Sequence, residues 1–102
     1  MLRVVALIAT QPGRREEVLA AARAVVPAVR AERGCIEYQL VVDEADFGPV
    51  QTKLGRDVYA VIETWADAEA LKAHGVAPHM KAFGAATKDW IAGRVIHVLT
   101  PA

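Results

Sequence analysis

The sequence predicts an α+β fold of the ferredoxin-like type, in which a four-stranded antiparallel sheet carries helices on one face. Four segments have the patterning of strands, and their order is strand, helix, strand, strand, helix pair, strand. The length of 102 residues suits one domain, 1–102. Apolar residues make up 54% of the chain, which is more than so small a domain buries, so we expect a subunit interface, a ligand cavity or both.

The first half of the chain predicts a strand, a helix and a second strand. Residues 2–10 are apolar on both sides, which is typical of a sheet covered on both faces. A helical stripe of apolar residues runs through 14–33, where Pro27 should kink or split the helix and Gly34 should end it. Residues 35–43 alternate as a strand.

Two assignments in this half depend on periodicity alone. The alternation predicts that Ile36 and Tyr38 share one face of the second strand and that Cys35 lies on the other. The charged residues of helix 14–33, including Glu32, fall mostly off the apolar stripe and are most simply a solvated face.

The second half predicts a third strand, two short helices and a closing strand. Residues 56–65 alternate as a strand, and Asp67 is a suitable N-cap for a helix over 68–73. Pro78 suits the first turn of the next helix. Gly93 should break that helix, and 94–100 should close the sheet.

Charge and composition exclude several classes of function. Twelve basic and twelve acidic residues are interspersed without a basic stripe, so nucleic acid is not an expected partner. No stretch reaches the roughly 20 apolar residues of a membrane span, so no membrane partner is expected. The single cysteine, Cys35, permits no intramolecular disulfide, and we expect a cytoplasmic protein.

The residues with chemical potential cluster where the third strand passes into the helix pair. Glu63, Trp65, His74 and His79 fall within 17 residues. Such a junction can bring an acid, an indole and two imidazoles to the mouth of one apolar pocket.

A set of short motifs in this order resembles the antibiotic-biosynthesis monooxygenase family of the dimeric α+β-barrel group. The resemblance covers about residues 2–98. Its motifs are Gly34-Cys35-Ile36-Glu37-Tyr38, Glu63-Thr64-Trp65, the run from Asp67 to His74, and Pro78-His79-Met80 with Phe83.

The resemblance implies a homodimer whose sheets pack back to back, with a pocket between sheet and helices in each subunit. Members include quinol monooxygenases that use dioxygen without metal or flavin, so no cofactor is expected. Haem-degrading members resemble one another in an asparagine on the first strand. Because this chain has no asparagine, haem degradation is not expected.

The two histidines are the candidate catalytic residues, because an electron-rich substrate must lose a proton before it reduces dioxygen. A helix N-terminus favours neutral imidazole and a C-terminus favours the protonated form. His79 is therefore the expected base and His74 the expected oxyanion partner. The alternative is that both only cap or link helices.

Five further residues are candidates for substrate binding, and each has a structural alternative. Trp65 could form a flat wall or anchor the core, and Glu63, if buried, must be paired. Tyr38 could donate its hydroxyl to a substrate. Met80 and Phe83 could line the pocket or belong to the core.

No metal is expected, because the spacing of His74 and His79 is not that of a metal-binding helical pair and no third ligand is evident. The sequence thus predicts a cofactor-independent monooxygenase acting with dioxygen on a small aromatic or quinol-type substrate. The alternative is a non-catalytic dimer that binds a small apolar metabolite.

Overall fold

The computed structural model describes all 102 residues and contains a four-stranded antiparallel sheet with three helices. The elements are β1 (Leu2–Thr10), α1 (Arg15–Arg30), β2 (Cys35–Val41), β3 (Val58–Trp65), α2 (Ala68–Gly75), α3 (Pro78–Thr87) and β4 (Ile91–Leu99). The strand order is β2-β3-β1-β4. The predicted α+β, ferredoxin-like arrangement is confirmed.

The core lies between the sheet and the helices. The burial pattern of β1, an inner strand of the sheet, shows which face of the sheet packs against the helices. Val4, Ala6 and Ile8 are buried toward the helices, whereas the positions between them are only half-buried. Val18 and Leu19 of α1 pack into the same core cluster. None of the three helices combines the length and the apolar character that a membrane-spanning helix needs.

Helix α1 is continuous, so the prediction that Pro27 could split it is wrong. Pro27 lies in the last turn, where the loss of one backbone N–H removes a single hydrogen bond and the proline φ remains compatible with a helix. The carbonyl of Pro27 still accepts a hydrogen bond from the N–H of Ala31. The helix ends at Arg30 and not at residue 33, which leaves Glu32 in the turn that leads to β2.

Strand β2 contains an irregularity that periodicity did not predict. Cys35 pairs with Trp65 and Glu37 pairs with Thr64, so Ile36 is the extra residue of a β-bulge. The bulge puts Cys35 on the same face as Tyr38 and leaves Ile36 55% exposed. The predicted face assignment is therefore wrong for Cys35 and Ile36 and right for Tyr38, which is buried.

The second half differs from the prediction mainly at its boundaries. Asp67 is the N-cap of α2, where its side chain accepts a hydrogen bond from the N–H of Ala70 at 2.8 Å. Helix α3 ends at Thr87, and β4 begins at Ile91. Gly93 therefore lies inside a strand and does not break the helix, because the strand pairs with β1 from its first residue.

Gly34 fixes the distance between the α1–β2 turn and α2. Its φ is +82°, and a Cβ added there would lie 2.6 Å from the Cβ of Ala70. The carbonyl of Gly34 also accepts a hydrogen bond from the N–H of Ala66 at 2.8 Å. The turn that carries Glu32 is thus held directly against the helix that carries His74.

Candidate active site

A cavity of about 410 Å³ lies between the sheet and the helices. Its wall is mostly apolar and includes Met80 and Phe83 of α3. The polar residues on the wall are Tyr38, Tyr59, Glu63, His74 and Arg94. A cavity of this size, with few polar groups on an apolar wall, suits a small organic ligand.

His74 is the most constrained of the polar residues on the cavity wall. It lies in the last turn of α2 and is 8% exposed. The ring centroid of Trp65 is 4.8 Å from that of His74, and the ring of Tyr38 meets it edge-on at 5.6 Å. Two aromatic neighbours therefore fix the plane of the imidazole.

Glu32 joins the two candidate histidines. The Nδ1 atom of His74 and the Nε2 atom of His79 each lie 2.8 Å from the same carboxylate oxygen, Oε2 of Glu32. The Glu32 side chain is only 13% exposed. The prediction that Glu32 belongs to a solvated face is therefore wrong, because it lies beyond the end of α1 and turns inward.

This arrangement also removes one argument against metal binding. The histidine pair has a third potential ligand, which lies 42 residues before His74 in the sequence. Topology is the signal that could have found it: pairing of Cys35 with Trp65 brings the turn before β2 beside the segment that follows β3. Periodicity within one segment contains no such information.

The shared carboxylate determines which ring nitrogens are free. An ionised carboxylate only accepts hydrogen bonds, so His74 donates from Nδ1 and His79 donates from Nε2. In the neutral form of His74, Nε2 then carries a lone pair and can act as a base, as in a carboxylate–histidine catalytic pair. His79 has the opposite tautomer and does not line the cavity.

Trp65 supports the site from behind and does not form its wall. The residue is fully buried, and its indole N–H donates to Oε1 of Glu63 at 2.9 Å. The predicted flat surface for a substrate ring is therefore not available on Trp65. The expectation that a buried Glu63 must be paired is confirmed.

Burial raises the pKa of the Glu63 carboxyl above its ordinary value of 4.5, with the hydrogen bond from Trp65 opposing the shift. Since the folded state then binds this proton more tightly than the unfolded state, the associated stability is complete below pH 4.5 and is lost as pH rises through the folded pKa. Glu63→Gln stays neutral and keeps an oxygen acceptor for Trp65. We expect this variant to gain stability over the wild type as pH rises from below 4.5 to neutral, in denaturant titrations at several pH values. A difference that is independent of pH would contradict this account.

The two cavity tyrosines are hydrogen-bond donors at physiological pH. Burial raises the pKa of Tyr59 to about 12, and burial also raises the pKa of Tyr38. Arg94 adds a positive charge to the same wall. Burial also raises the pKa of the Cys35 thiol, which fits the interpretation of this residue as a small hydrophobe and not a nucleophile.

Comparisons with known proteins agree with the fold. The sequence model of the family described as "Antibiotic biosynthesis monooxygenase" matches residues 1–86. The chain belongs to this family. It is 38% identical over 103 residues to the "Probable quinol monooxygenase YgiN" of Escherichia coli K12, covering 99% of this chain and 98% of that protein.

Solved structures of similar proteins share the whole fold of this family member. The structure of PA3566 from Pseudomonas aeruginosa superposes with a TM-score of 0.81 at 29% identity, covering 99% of this chain and 93% of that one. The structure of Rv0793 from Mycobacterium tuberculosis gives a TM-score of 0.77 at 24% identity, covering 99% and 94%. These structures show the shared fold, whereas the family match and the relative YgiN support a monooxygenase-like function.

Proposed function

We propose that this family member is a cofactor-independent monooxygenase that oxidises a quinol-type aromatic substrate with dioxygen in the 410 Å³ cavity, with His74 as the base. The observation that carries the proposal is the contact between Nδ1 of His74 and Glu32 on the wall of an apolar cavity. It leaves Nε2 as the only ring nitrogen free to take a proton from a bound substrate.

The chemistry needs no external reductant. His74 takes a proton from a substrate hydroxyl, and the resulting anion gives electrons to dioxygen more readily than the neutral quinol does. Overall, one oxygen atom replaces a ring hydrogen, the other leaves as water, and the quinol supplies all four electrons as it becomes a hydroxyquinone. The protein provides the base, the apolar cavity and donors for the oxyanion.

Tyr38 and Tyr59 are the proposed oxyanion donors, because both hydroxyls stay protonated and both residues line the cavity. Met80 and Phe83 are the proposed apolar contacts. Glu63, on the same wall, is a further proposed polar contact, and Trp65 holds the imidazole plane. His79 is proposed to hold the Glu32 carboxylate in place and not to act as the base. Taken alone, its position at a helix N-terminus favours the role of base.

The relative YgiN, described as a probable quinol monooxygenase, supports the quinol class of substrate, because it matches almost the full length of this chain. The cavity volume supports a small aromatic substrate, since pockets for small organic ligands begin at about 300 Å³.

Oxygen consumption tests the proposal. Protein stripped of metal and flavin is mixed with a panel of hydroquinones and polycyclic phenols, and the rate is corrected for autoxidation. We expect one dioxygen consumed per quinol and one hydroxyquinone formed. His74→Gln should reduce kcat/KM by about 10²–10⁴-fold.

Glu16→Gln is the matched control, because Glu16 lies in the first turn of α1, away from the cavity wall, with a side chain 73% exposed. It should retain the wild-type rate, and circular dichroism should show both variants folded. No oxygen uptake across the panel, or full activity of His74→Gln, would overturn the proposal. Tight binding of quinols without uptake would favour the alternative, a non-catalytic binding protein.

The homodimer belongs to the same proposal. On the sheet face away from the helices, Val95 and Leu99 are 52% and 47% exposed, and they adjoin the half-buried Val5 and Leu7. A second copy would cover this apolar face. Light scattering should then give a mass of twice 11.0 kDa, and the mass of a single chain would contradict the dimer.

A further inference from the structure

Three atoms that commonly bind metals meet at one point beside the cavity. Oε2 of Glu32, Nδ1 of His74 and Nε2 of His79 all lie within 4.8 Å of one another. They come from three separate elements, the α1–β2 turn, the end of α2 and the start of α3. The fold has therefore gathered two imidazoles and a carboxylate that are far apart in the sequence.

We propose that Glu32, His74 and His79 form a site for a divalent first-row transition-metal ion such as Zn²⁺ or Co²⁺. Two nitrogen ligands and one carboxylate oxygen suit these ions, whereas Ca²⁺ and Mg²⁺ prefer oxygen ligands only. A zinc ion binds such atoms at about 2.0–2.2 Å. Each nitrogen lies 2.8 Å from the oxygen and all three atoms lie within 4.8 Å of one another, so coordination requires the side chains to rotate until the three atoms face a common centre.

The three ligands differ in how firmly the fold holds them. Trp65 and Tyr38 fix the ring of His74. The N–H of Glu32 donates to the carbonyl of Val29, which holds the turn in place. The His79 side chain is 26% exposed, so it offers both the adjustable ligand and a route by which a hydrated ion can enter.

Metal binding would have a consequence for His74. A metal on Nδ1 replaces the proton there, so neutral imidazole must carry its proton on Nε2. Nε2 then becomes a donor and can no longer act as a base. This part of the inference rests on the proposed function and predicts that the metal inhibits oxygen consumption.

Binding is tested without any activity assay. Chelator-treated protein is titrated with Co²⁺, whose visible absorption reports coordination by the protein, and with Zn²⁺ in a calorimeter. We expect one ion per chain and a higher thermal midpoint with Zn²⁺. Glu32→Gln and His79→Gln should each weaken binding at least about tenfold.

Glu16→Gln is again the control and should bind like the wild type, since Glu16 lies exposed in the first turn of α1, at the other end of the helix from the turn that carries Glu32. Absence of a Co²⁺ spectrum, or binding that Glu32→Gln and His79→Gln leave unchanged, would overturn the metal site. If binding is found, Zn²⁺ should abolish oxygen uptake over the concentration range in which it binds. Unchanged uptake at saturating Zn²⁺ would overturn the inhibitory role alone, and the Co²⁺ result stands even if no quinol is oxidised.

Discussion

Gly34→Ala is expected to reduce the free energy of unfolding by about 2–5 kcal/mol, which is a large share of the stability of a small domain. Two costs add at this position. An L-residue at a φ of +82° is strained, and the new Cβ would lie 2.6 Å from the Cβ of Ala70. Since Ala70 is 1% exposed, neither α2 nor the turn can move apart without opening the core. Chemical denaturation measures the loss.

Two further variants separate the costs. Gly13 has a φ of +77° but open space around it, so Gly13→Ala should show only the backbone strain, about 1–2 kcal/mol. The double variant Gly34→Ala with Ala70→Gly should recover part of the loss, because it removes the methyl group that clashes. Equal losses for Gly13→Ala and Gly34→Ala, or no recovery in the double variant, would show that the contact with Ala70 is not limiting.

The sequence predicts the order of elements and most buried faces, because both depend on local periodicity. Strand β1 runs from Leu2 to Thr10 as predicted, and Asp67 caps α2 as predicted. Local periodicity does not predict the β-bulge at Ile36, because an extra residue is defined only by pairing with the partner strand. Local periodicity does not predict the start of β4 either, since pairing with β1 determines where that strand begins.

The same distinction applies to the candidate site. His74 and His79 stand out in the sequence because they are close to each other and to Trp65. Glu32 does not, because only the tertiary fold brings its carboxylate to both imidazoles. The sequence also does not predict that Trp65 packs behind His74, because only the tertiary fold shows that the cavity lies on the other side of the imidazole. Residue types are therefore predictable here, whereas their roles are not.

Glu32→Gln is expected to lower kcat/KM for the proposed quinol oxidation by about 10²–10⁴-fold, because it removes the group that holds His74 in the basic tautomer. An amide can donate to Nδ1 as well as accept from it, so the tautomer with the proton on Nε2 becomes available. The variant also weakens two charge-assisted hydrogen bonds, for which we expect a stability loss of about 2–3 kcal/mol.

Nitrogen NMR of the histidine rings distinguishes this role from a purely structural one. In the wild type, the signals of His74 should report a proton on Nδ1, and in Glu32→Gln they should report a shift toward Nε2. Glu16→Gln, in the first turn of α1 with a side chain 73% exposed, should change neither the tautomer nor the rate. If Glu32→Gln loses stability while the tautomer of His74 and kcat/KM stay unchanged, then Glu32 only braces the helix ends. If the tautomer and the rate change together, the carboxylate is the positioning residue that makes His74 a base.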